Sequence, residues 1–271
     1  MQLTSFVHPI LFQFGRFTIT SYGMMVALAF LAGLWTASRR APRDGIPADK
    51  ILDLGPWLIV GAIVGARLLY VVSYWREQFA GQPVVEIFAV WKGGLVFYGG
   101  LIGASLGCIF YARLKKLALW KLADAVAPSI SLGYVFGRIG CLLNGCCYGR
   151  PCSLPWGITF PKESRLAPPD IKLHPTQLYE SSLNLVWYLV LAWLYRRKKF
   201  DGQVFATYLV GYALLRSFVE MFRGDYPEYY LGGWATPAQL VSIGILVAGI
   251  VLLVILPRSG GGQKSKVAQE A

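Results

Sequence analysis

The sequence predicts an all-α integral membrane protein with about seven transmembrane helices. Hydrophobic residues make up 55% of the chain and charged residues only 15%, whereas a soluble domain carries about 25% charged residues. Several runs, among them residues 19–38, 56–73 and 238–256, approach the roughly 20 apolar residues that cross a bilayer. Three of the predicted spans also contain an arginine, which is rare inside a membrane.

The predicted elements form one polytopic domain over residues 1–257. Its spans cover residues 19–38, 51–72, 93–112, 118–142, 176–195, 203–222 and 236–257. The segment at about 146–175 is rich in proline and interrupted by charges, so we expect an irregular external cap. The glycine-rich and polar tail, residues 258–271, is expected to be disordered in the cytoplasm.

Lysine and arginine predict the orientation of the spans. Fifteen of them lie in segments 39–50, 113–121, 196–199 and 258–266, against eight in the segments on the opposite side. Because basic loops stay in the cytoplasm, the N-terminus is expected outside and the C-terminus inside. The net charge of +12 is thus divided among short loops, which favours anionic lipid head groups rather than a nucleic acid as partner.

Arg67, Arg138 and Arg216 all fall in the outer part of their predicted spans. An arginine at the centre of a span costs about 2.5–3.5 kcal/mol on insertion scales, so such residues normally face a polar cavity or a partner. Arg216, Glu220 and Arg223 are also spaced i, i+4, i+7 and share a helix face. For Glu220 alone, a local ion pair remains an alternative to a functional role.

Polar side chains from other spans reach the same predicted depth. They are Tyr22, Tyr98, His174, Gln177, Tyr179 and Glu180. Each alone fits an interfacial residue, but together they predict one polar cavity that opens toward the outer leaflet. Because guanidinium binds phosphate bidentately, a lipid phosphate is the expected ligand.

Small residues four apart predict close helix packing in spans two, three and four. They are Gly61 and Gly65, then Gly99, Gly103 and Gly107, then Gly133 and Gly137. An alternative for Gly99 and Gly100 is that they open space for a ligand.

The segment GRIGCLLNGCCYGR, Gly137–Arg150, places four glycines and two arginines around a span end. This segment is one of several motifs by which the chain resembles the prolipoprotein diacylglyceryl transferase family over nearly its whole length. HPTQLYE at His174–Glu180 and GYALLRSFVEMFR at Gly211–Arg223 also carry the resemblance. So do GAR at Gly65–Arg67 and GGLVFYGG at Gly93–Gly100.

The resemblance implies transfer of a diacylglyceryl group from phosphatidylglycerol to the lipobox cysteine of a prolipoprotein signal peptide. A thioether forms and glycerol phosphate leaves. The expected partners are therefore phosphatidylglycerol, prolipoproteins and membrane lipids, with no cofactor and no metal ion. The expected location is the bacterial inner membrane, with the active site facing the outer leaflet.

The resemblance also implies roles for individual residues. Arg138 matches the arginine that binds the phosphatidylglycerol head group, and Arg216 matches an arginine needed for activity, with Glu220 as its companion. We place these further residues with substrate binding: Tyr22, Arg67, Asn144, Gly149, Tyr212 and Arg223. Arg67 is also interpreted as a structural partner.

Tyr98 and His174 are the two candidates for the proton acceptor. Some family members have a histidine at the position of Tyr98 and an asparagine at that of Cys141. A phenol has a pKa of about 10, so Tyr98 would need cationic neighbours to act as a base. These departures leave open a related transferase that uses another phospholipid or acceptor.

The five cysteines divide into two groups. Cys108 lies within a span and is expected to be a packing residue. The other four lie near the predicted outer face, in the pattern C-x4-C-C-x4-C: Cys141, Cys146, Cys147 and Cys152. Disulfides, free thiols and a metal or redox site all remain open for them.

A transporter or flippase for an anionic lipid or solute is the alternative from another functional class. Arginines within spans and glycine-broken helices suit such proteins too. The halves of the chain show no inverted repeat, and the charges lie on one side of the midplane. Both features favour the transferase.

Overall fold

The computed structural model of the chain describes residues 9–15, 17–161, 166–224 and 236–267. Its long helices are α1 Ser21–Arg40, α2 Ala48–Ser73, α4 Phe97–Leu114, α5 Leu119–Asn144, α6 Thr176–Tyr195, α7 Gln203–Glu220 and α8 Pro237–Val267. A short helix, α3, covers Val85–Phe88. Each predicted span corresponds to one long helix, and most ends differ by only a few residues.

Five of the described helices are long and apolar enough to cross a membrane. They lie in Ser21–Asp44, Ala48–Ser73, Phe97–Leu114, Leu119–Asn144 and Pro237–Arg258. The number seven stays a prediction, because α6 and α7 carry polar side chains on buried surfaces, among them Gln177, Glu180 and Arg216. The chain is thus a mostly helical, multi-pass membrane protein.

Short strands add to the helical architecture, and the sequence did not predict them. β1, Ile10–Phe14, pairs antiparallel with β2, Phe17–Thr20, and the hairpin leads directly into α1. β3, Ile158–Thr159, pairs antiparallel with β4, Lys172–Leu173, inside the predicted cap. A small hydrophobic cluster gives this loop its own core: Ile158, Phe160, Ala167 and Leu173.

The chain divides into two compact units. The first, here called the split unit, comprises Met1–Ala37 and Ala123–Ala271; the second, the inserted unit, comprises Ser38–Leu122. In the inserted unit α2 packs closely on α4 through glycines. A Cβ added at Gly103 would meet the backbone of Gly61 and Gly65, which confirms the predicted packing there.

The packing prediction is wrong for Gly133 and Gly137 of α5. Among the described residues, nothing lies within 4 Å of a Cβ added at either position. A spacing of four selects a helix face but does not fix which neighbour that face meets.

The last helix also differs from expectation, since α8 continues to Val267, into the segment predicted to be disordered. Three of the eight basic residues counted on the external side lie outside the described part, namely Arg16, Lys162 and Arg165, and so do residues 268–271 of the predicted tail.

Candidate active site

Three helices of the split unit bring two arginines and two glutamates together. Arg138 of α5 pairs through Nε with Oε2 of Glu180 on α6 at 2.9 Å. Arg216 of α7 contacts Oε1 of Glu180 through Nη1 at 3.6 Å and Oε2 of Glu220 through Nη2 at 2.8 Å. The carboxylate of Glu180 therefore bridges the two guanidinium groups, one on each oxygen.

Three of the four groups are buried, with Glu180 3% exposed, Glu220 2% and Arg216 8%, whereas the side chain of Arg138 is 13% exposed. Because unpaired buried charges are costly, two cations among two carboxylates form a combination that the protein interior tolerates. The sequence predicted the Arg216–Glu220 pair from its i, i+4 spacing, and the contact confirms that pair. The bridge through Glu180 was not predicted.

Arg138 keeps part of its guanidinium available. Within the described residues it has the ion pair at Nε and a contact over the Tyr134 ring, with Cζ 5.6 Å from the ring centroid. Neither Nη atom has a hydrogen-bond partner among these residues. A guanidinium held at Nε presents its two Nη atoms in a fixed orientation, which suits bidentate binding of a phosphate.

Aromatic side chains continue the site away from Arg138. The hydroxyl of Tyr134 donates to that of Tyr212 at 3.1 Å, and their rings meet edge to face. Tyr208 lies beside Tyr212 at 6.1 Å between ring centroids. The predicted substrate residue Tyr212 is thus linked to Arg138 through Tyr134, a residue that the sequence did not single out.

The segment after α5 is joined by backbone contacts to the start of α6 and the end of α7. The Gly149 N–H donates to the carbonyl of His174 at 3.0 Å, and Gly149 forms a β-bridge with Arg223. A Cβ at Gly149 would meet His174 and the carbonyl of Phe222, so the motif requires a glycine here. Arg223 itself is 6% exposed, and its carbonyl accepts from Nε of Arg150.

His174 lies in an aromatic group at the start of α6. Its Nδ1 is 3.2 Å from the hydroxyl of Tyr179, which also accepts from Nε1 of Trp156 at 2.8 Å. The ring packs against Phe222, with centroids 5.4 Å apart. These contacts orient the imidazole of His174.

Asn144 and Tyr22 lie near the end of α5. The side-chain amide of Asn144 donates to Sγ of Cys146 at 3.7 Å. Tyr22 stands in the first turn of α1, and a Cβ added at Gly140 would come within 3.2 Å of its ring. The tyrosine remains 44% exposed, so its hydroxyl is not enclosed by the described residues.

Arg67 and Tyr98 belong to the inserted unit. Arg67 donates from Nε to the carbonyl of Ile87, from Nη2 to that of Glu86, and from Nη1 to those of Gly93 and Gly94. Four hydrogen bonds to carbonyl oxygens hold the segment that leads into α4, which favours the structural interpretation of Arg67. Tyr98 is 50% exposed, and its role as base stays a prediction.

A group of three thiols adjoins the arginines. Sγ atoms of Cys141, Cys146 and Cys147 lie within 4.8 Å of one another, and all five cysteines of the chain are free thiols in this structure. Hydrogen bonds from Cys141 and Cys146, with the charges of Arg138 and Arg223, lower the pKa of the Cys147 thiol against the opposing effect of burial.

Sequence comparisons identify the family of the chain. A model of the prolipoprotein diacylglyceryl transferase family matches residues 9–255. The chain is 39% identical over 254 residues to a phosphatidylglycerol–prolipoprotein diacylglyceryl transferase of Synechococcus elongatus, with 91% of this chain and 86% of that protein covered. A transferase of the same name from Geobacter sulfurreducens is 36% identical over 258 residues, with 93% and 96% covered.

The counterpart from Nostoc is 37% identical over 262 residues, which covers 92% of this chain and 90% of that protein. Similarity of this extent includes every motif noted above, from the first span to the last. The chain therefore belongs to the prolipoprotein diacylglyceryl transferase family.

Proposed function

We propose that this protein transfers the sn-1,2-diacylglyceryl group of phosphatidylglycerol to the lipobox cysteine of prolipoproteins. The cysteine thiolate attacks the glyceryl carbon, a C–S bond forms, and the C–O bond to phosphate breaks. Glycerol phosphate leaves with the bonding electrons, and the thiol proton passes to a base. The nucleophile belongs to the acceptor, so the enzyme has to bind the phosphate and stabilise its developing charge.

The observation that carries this proposal is that the guanidinium of Arg138 is paired at Nε alone among the described residues. Glu180 holds its Nε at 2.9 Å, and the two Nη atoms remain for the lipid phosphate. Arg138 binds the phosphate in this mechanism, and the ring of Tyr134, whose hydroxyl donates to that of Tyr212, packs against its guanidinium.

Arg216 stabilises the leaving group. As the C–O bond breaks, negative charge grows on the phosphate oxygen, and a preorganised cation near it lowers the barrier. Glu220 and Glu180 contact separate Nη atoms of Arg216 and so fix its orientation. Asn144, Gly149, Tyr22 and Arg223 shape the surroundings of the same site, while Arg67 holds the segment before α4.

Tyr98 and His174 both remain candidates for the base. His174 has a defined orientation through Tyr179, which suits proton transfer at its other ring nitrogen. A Tyr98→Phe variant with an unchanged rate removes the tyrosine from the mechanism. A His174→Asn variant assayed in parallel then tests the imidazole.

The topology belongs to this proposal. Helices α6 and α7 complete seven spans, with the N-terminus outside, the C-terminus in the cytoplasm and the loop at 146–175 as an external cap. The bacterial inner membrane supplies phosphatidylglycerol, and secreted prolipoproteins reach the outer leaflet with their signal peptides still in the membrane. A site facing that leaflet meets both substrates.

The test is transfer by purified protein from phosphatidylglycerol to a lipobox peptide. Arg138→Ala should lower the rate by about 10²-fold or more, as loss of a well-placed charge donor does. Arg197→Ala serves as a control, because Arg197 lies in the loop after α6. Full lipidation by Arg138→Ala would contradict the assignment.

Complementation of a strain depleted of its own lipoprotein transferase tests the function as a whole. The expected readout is thioether-lipidated prolipoprotein. Failure to complement, together with uptake of an anionic solute by vesicles containing the protein, would favour the transporter.

A further inference from the structure

Three thiols meet at the end of α5, where Cys141 lies in the last turn of the helix and Cys146 and Cys147 lie in the turn that follows it. The Sγ atoms of Cys141, Cys146 and Cys147 lie within 4.8 Å of one another. Helix α5 ends at Asn144, and positive φ angles of 74° at Gly145 and 62° at Cys147 turn the chain sharply. The transfer reaction proposed above uses none of these thiols, so their convergence needs its own explanation.

We propose that Cys141, Cys146 and Cys147 bind one soft metal ion of the Cu(I) or Zn²⁺ class. Thiolates are the ligands that such ions prefer. With metal–sulfur bonds of about 2.3 Å, three sulfurs in a trigonal arrangement stand about 4.0 Å apart, so the separations need to shorten by about 0.8 Å at most. Coordination replaces the thiol protons, which pass to water. A trigonal Cu(I) site is then complete, whereas tetrahedral Zn²⁺ takes one further ligand.

The charges around the thiols favour this site. Three thiolates with a monovalent or divalent cation carry a net negative charge, which is costly in a half-buried turn. The guanidinium group of Arg138 acts electrostatically on Cys141 and Cys147, and that of Arg223 acts on Cys147, so positive charge near the thiols offsets part of this net charge.

The backbone around the thiols is held in place from α6. Oγ1 of Thr176 donates to the carbonyl of Cys147 at 2.7 Å, and Nε2 of Gln177 donates to that of Cys146 at 2.7 Å. The amide of Asn144 also donates to Sγ of Cys146, a contact of the kind that orients metal ligands. The ligand positions are thus set by the protein before an ion binds.

A disulfide is the competing use of these thiols. A bridge between any two of them leaves a single thiol, so a disulfide and the three-sulfur site exclude each other. Protein isolated from cells without reductant should therefore contain all three as thiols or as metal ligands. A mass lower by two hydrogens, mapped to a pair of these cysteines, would overturn the proposal.

The direct test uses the wild-type full chain in detergent, reduced and kept free of oxygen. Titration with Cd²⁺ should produce a thiolate-to-metal absorption band that saturates at one ion per chain, and the softer ion Cu(I) should displace the Cd²⁺. Bound ion should protect Cys141, Cys146 and Cys147 from alkylation and leave Cys108 and Cys152 unprotected. No band, or no protection of the three, would overturn the proposal without any variant.

Variants then assign the ligands. Cys147→Ser should abolish the band, whereas Cys152→Ser, the matched control, should retain it. Asn144→Ala should weaken the affinity by about 10-fold, as loss of contacts to metal ligands does. Equal affinity in Cys147→Ser and wild type would contradict the site. These readouts do not involve lipid transfer, so their failure is separate from any failure of the proposed function.

Discussion

The carboxylate of Glu180 contacts both buried arginines, at 2.9 Å from Arg138 and 3.6 Å from Arg216. In Glu180→Gln the site retains two guanidinium groups with only the carboxylate of Glu220. We expect the rate of diacylglyceryl transfer to fall by about 10²-fold, because both cations lose their fixed orientation. The measurement is the initial rate of diacylglyceryl transfer by purified protein whose folding has been verified.

Glu86→Gln is the control for this change. Its carboxylate pairs with Lys92 at 2.6 Å on an exposed surface, and such pairs are worth about 0–1 kcal/mol. The rate of this variant should stay near that of wild type. A Glu180→Gln enzyme as fast as the control would contradict the role of the bridge.

Arg216→Lys separates binding of substrate from stabilisation of the leaving group. Lysine keeps the positive charge but cannot contact Glu180 and Glu220 through two separate nitrogens. If Arg216 acts mainly on the leaving phosphate, kcat falls by about 10²-fold while KM for phosphatidylglycerol changes little. A higher KM with unchanged kcat would instead assign Arg216 to ground-state binding.

These residues also show how far the sequence predicts the site. The Arg216–Glu220 pair follows from spacing along one helix, so the pattern alone was sufficient. The contact of Glu180 with Arg138 joins α6 to α5, and no local pattern encodes which helices are neighbours. The available signal was an acidic residue, Glu180, in the first turns of an otherwise apolar span.

At the scale of elements, the α2–α4 contact depends on glycine. In Gly103→Ala the new methyl group would meet backbone atoms of Gly61 and Gly65, which cannot move aside as a flexible side chain can. We expect the helices to separate and the free energy of unfolding to fall by about 1–3 kcal/mol. Thermal unfolding of detergent-solubilised protein measures the change.

Gly133→Ala in α5 is the matched substitution. No described atom lies within 4 Å of the added methyl group, and alanine is the better helix former. This variant should therefore unfold at the same temperature as wild type or higher. Equal losses in both variants would show that the effect does not come from contact of the new methyl group with the backbone of Gly61 and Gly65.

Asp124 connects α5 to the start of α7. Its carboxylate is fully buried and accepts from Nζ of Lys198 at 2.9 Å and from the N–H groups of Gly202 and Phe205 at 2.8 and 3.0 Å. Asp124→Ala removes the buried carboxylate that these three groups share and should destabilise the protein by about 3–5 kcal/mol.

Asp201→Ala provides the comparison, since Asp201 contacts the same lysine at 3.4 Å from a 46% exposed side chain. Its effect on the unfolding temperature should be small, because exposed pairs contribute about 0–1 kcal/mol. An Asp124→Ala protein as stable as Asp201→Ala would contradict the importance of the buried contact.

Hydropathy predicts the elements of this fold unevenly. A long apolar run determines a helix from local composition, so each predicted span has its helix in the structure. The hairpin at residues 10–20 depends on pairing between two short strands, and its apolar side chains merge with the following span in the sequence. The pairing of β3 with β4 inside the predicted cap was missed for the same reason, because hydropathy does not show which short segments pair.

At the scale of the whole molecule, composition predicts membrane insertion, whereas the division into units depends on contacts. The inserted unit, Ser38–Leu122, interrupts a unit built from both ends of the chain. Nothing in local hydropathy marks the points at residues 37 and 123, because they fall within or beside long helices. The four groups of the arginine site all belong to the split unit. Two of them, Arg138 and Glu180, are more than 40 residues apart in the sequence.

The orientation of the whole chain in the membrane follows from the distribution of its basic residues. Fifteen lysines and arginines lie in segments that seven spans place on one side, against eight on the other. Alkaline phosphatase, which is active only outside the cytoplasm, should be inactive when fused after Lys116 or Lys199 and active when fused after Trp156. A fluorescent protein that matures only in the cytoplasm should give the opposite pattern at each position.

Neutralisation of the basic cluster at 196–199 sharpens the test. If these residues retain their loop in the cytoplasm, glutamine at all four positions should raise phosphatase activity of the Lys199-site fusion. Active phosphatase at the unmodified Lys199 site would instead mean that α6 and α7 do not both span in the predicted sense. If the fusion after Trp156 is inactive at the same time, the whole orientation is inverted, Glu180 and Arg216 lie toward the cytoplasmic leaflet, and the lipid would have to reach them from that side.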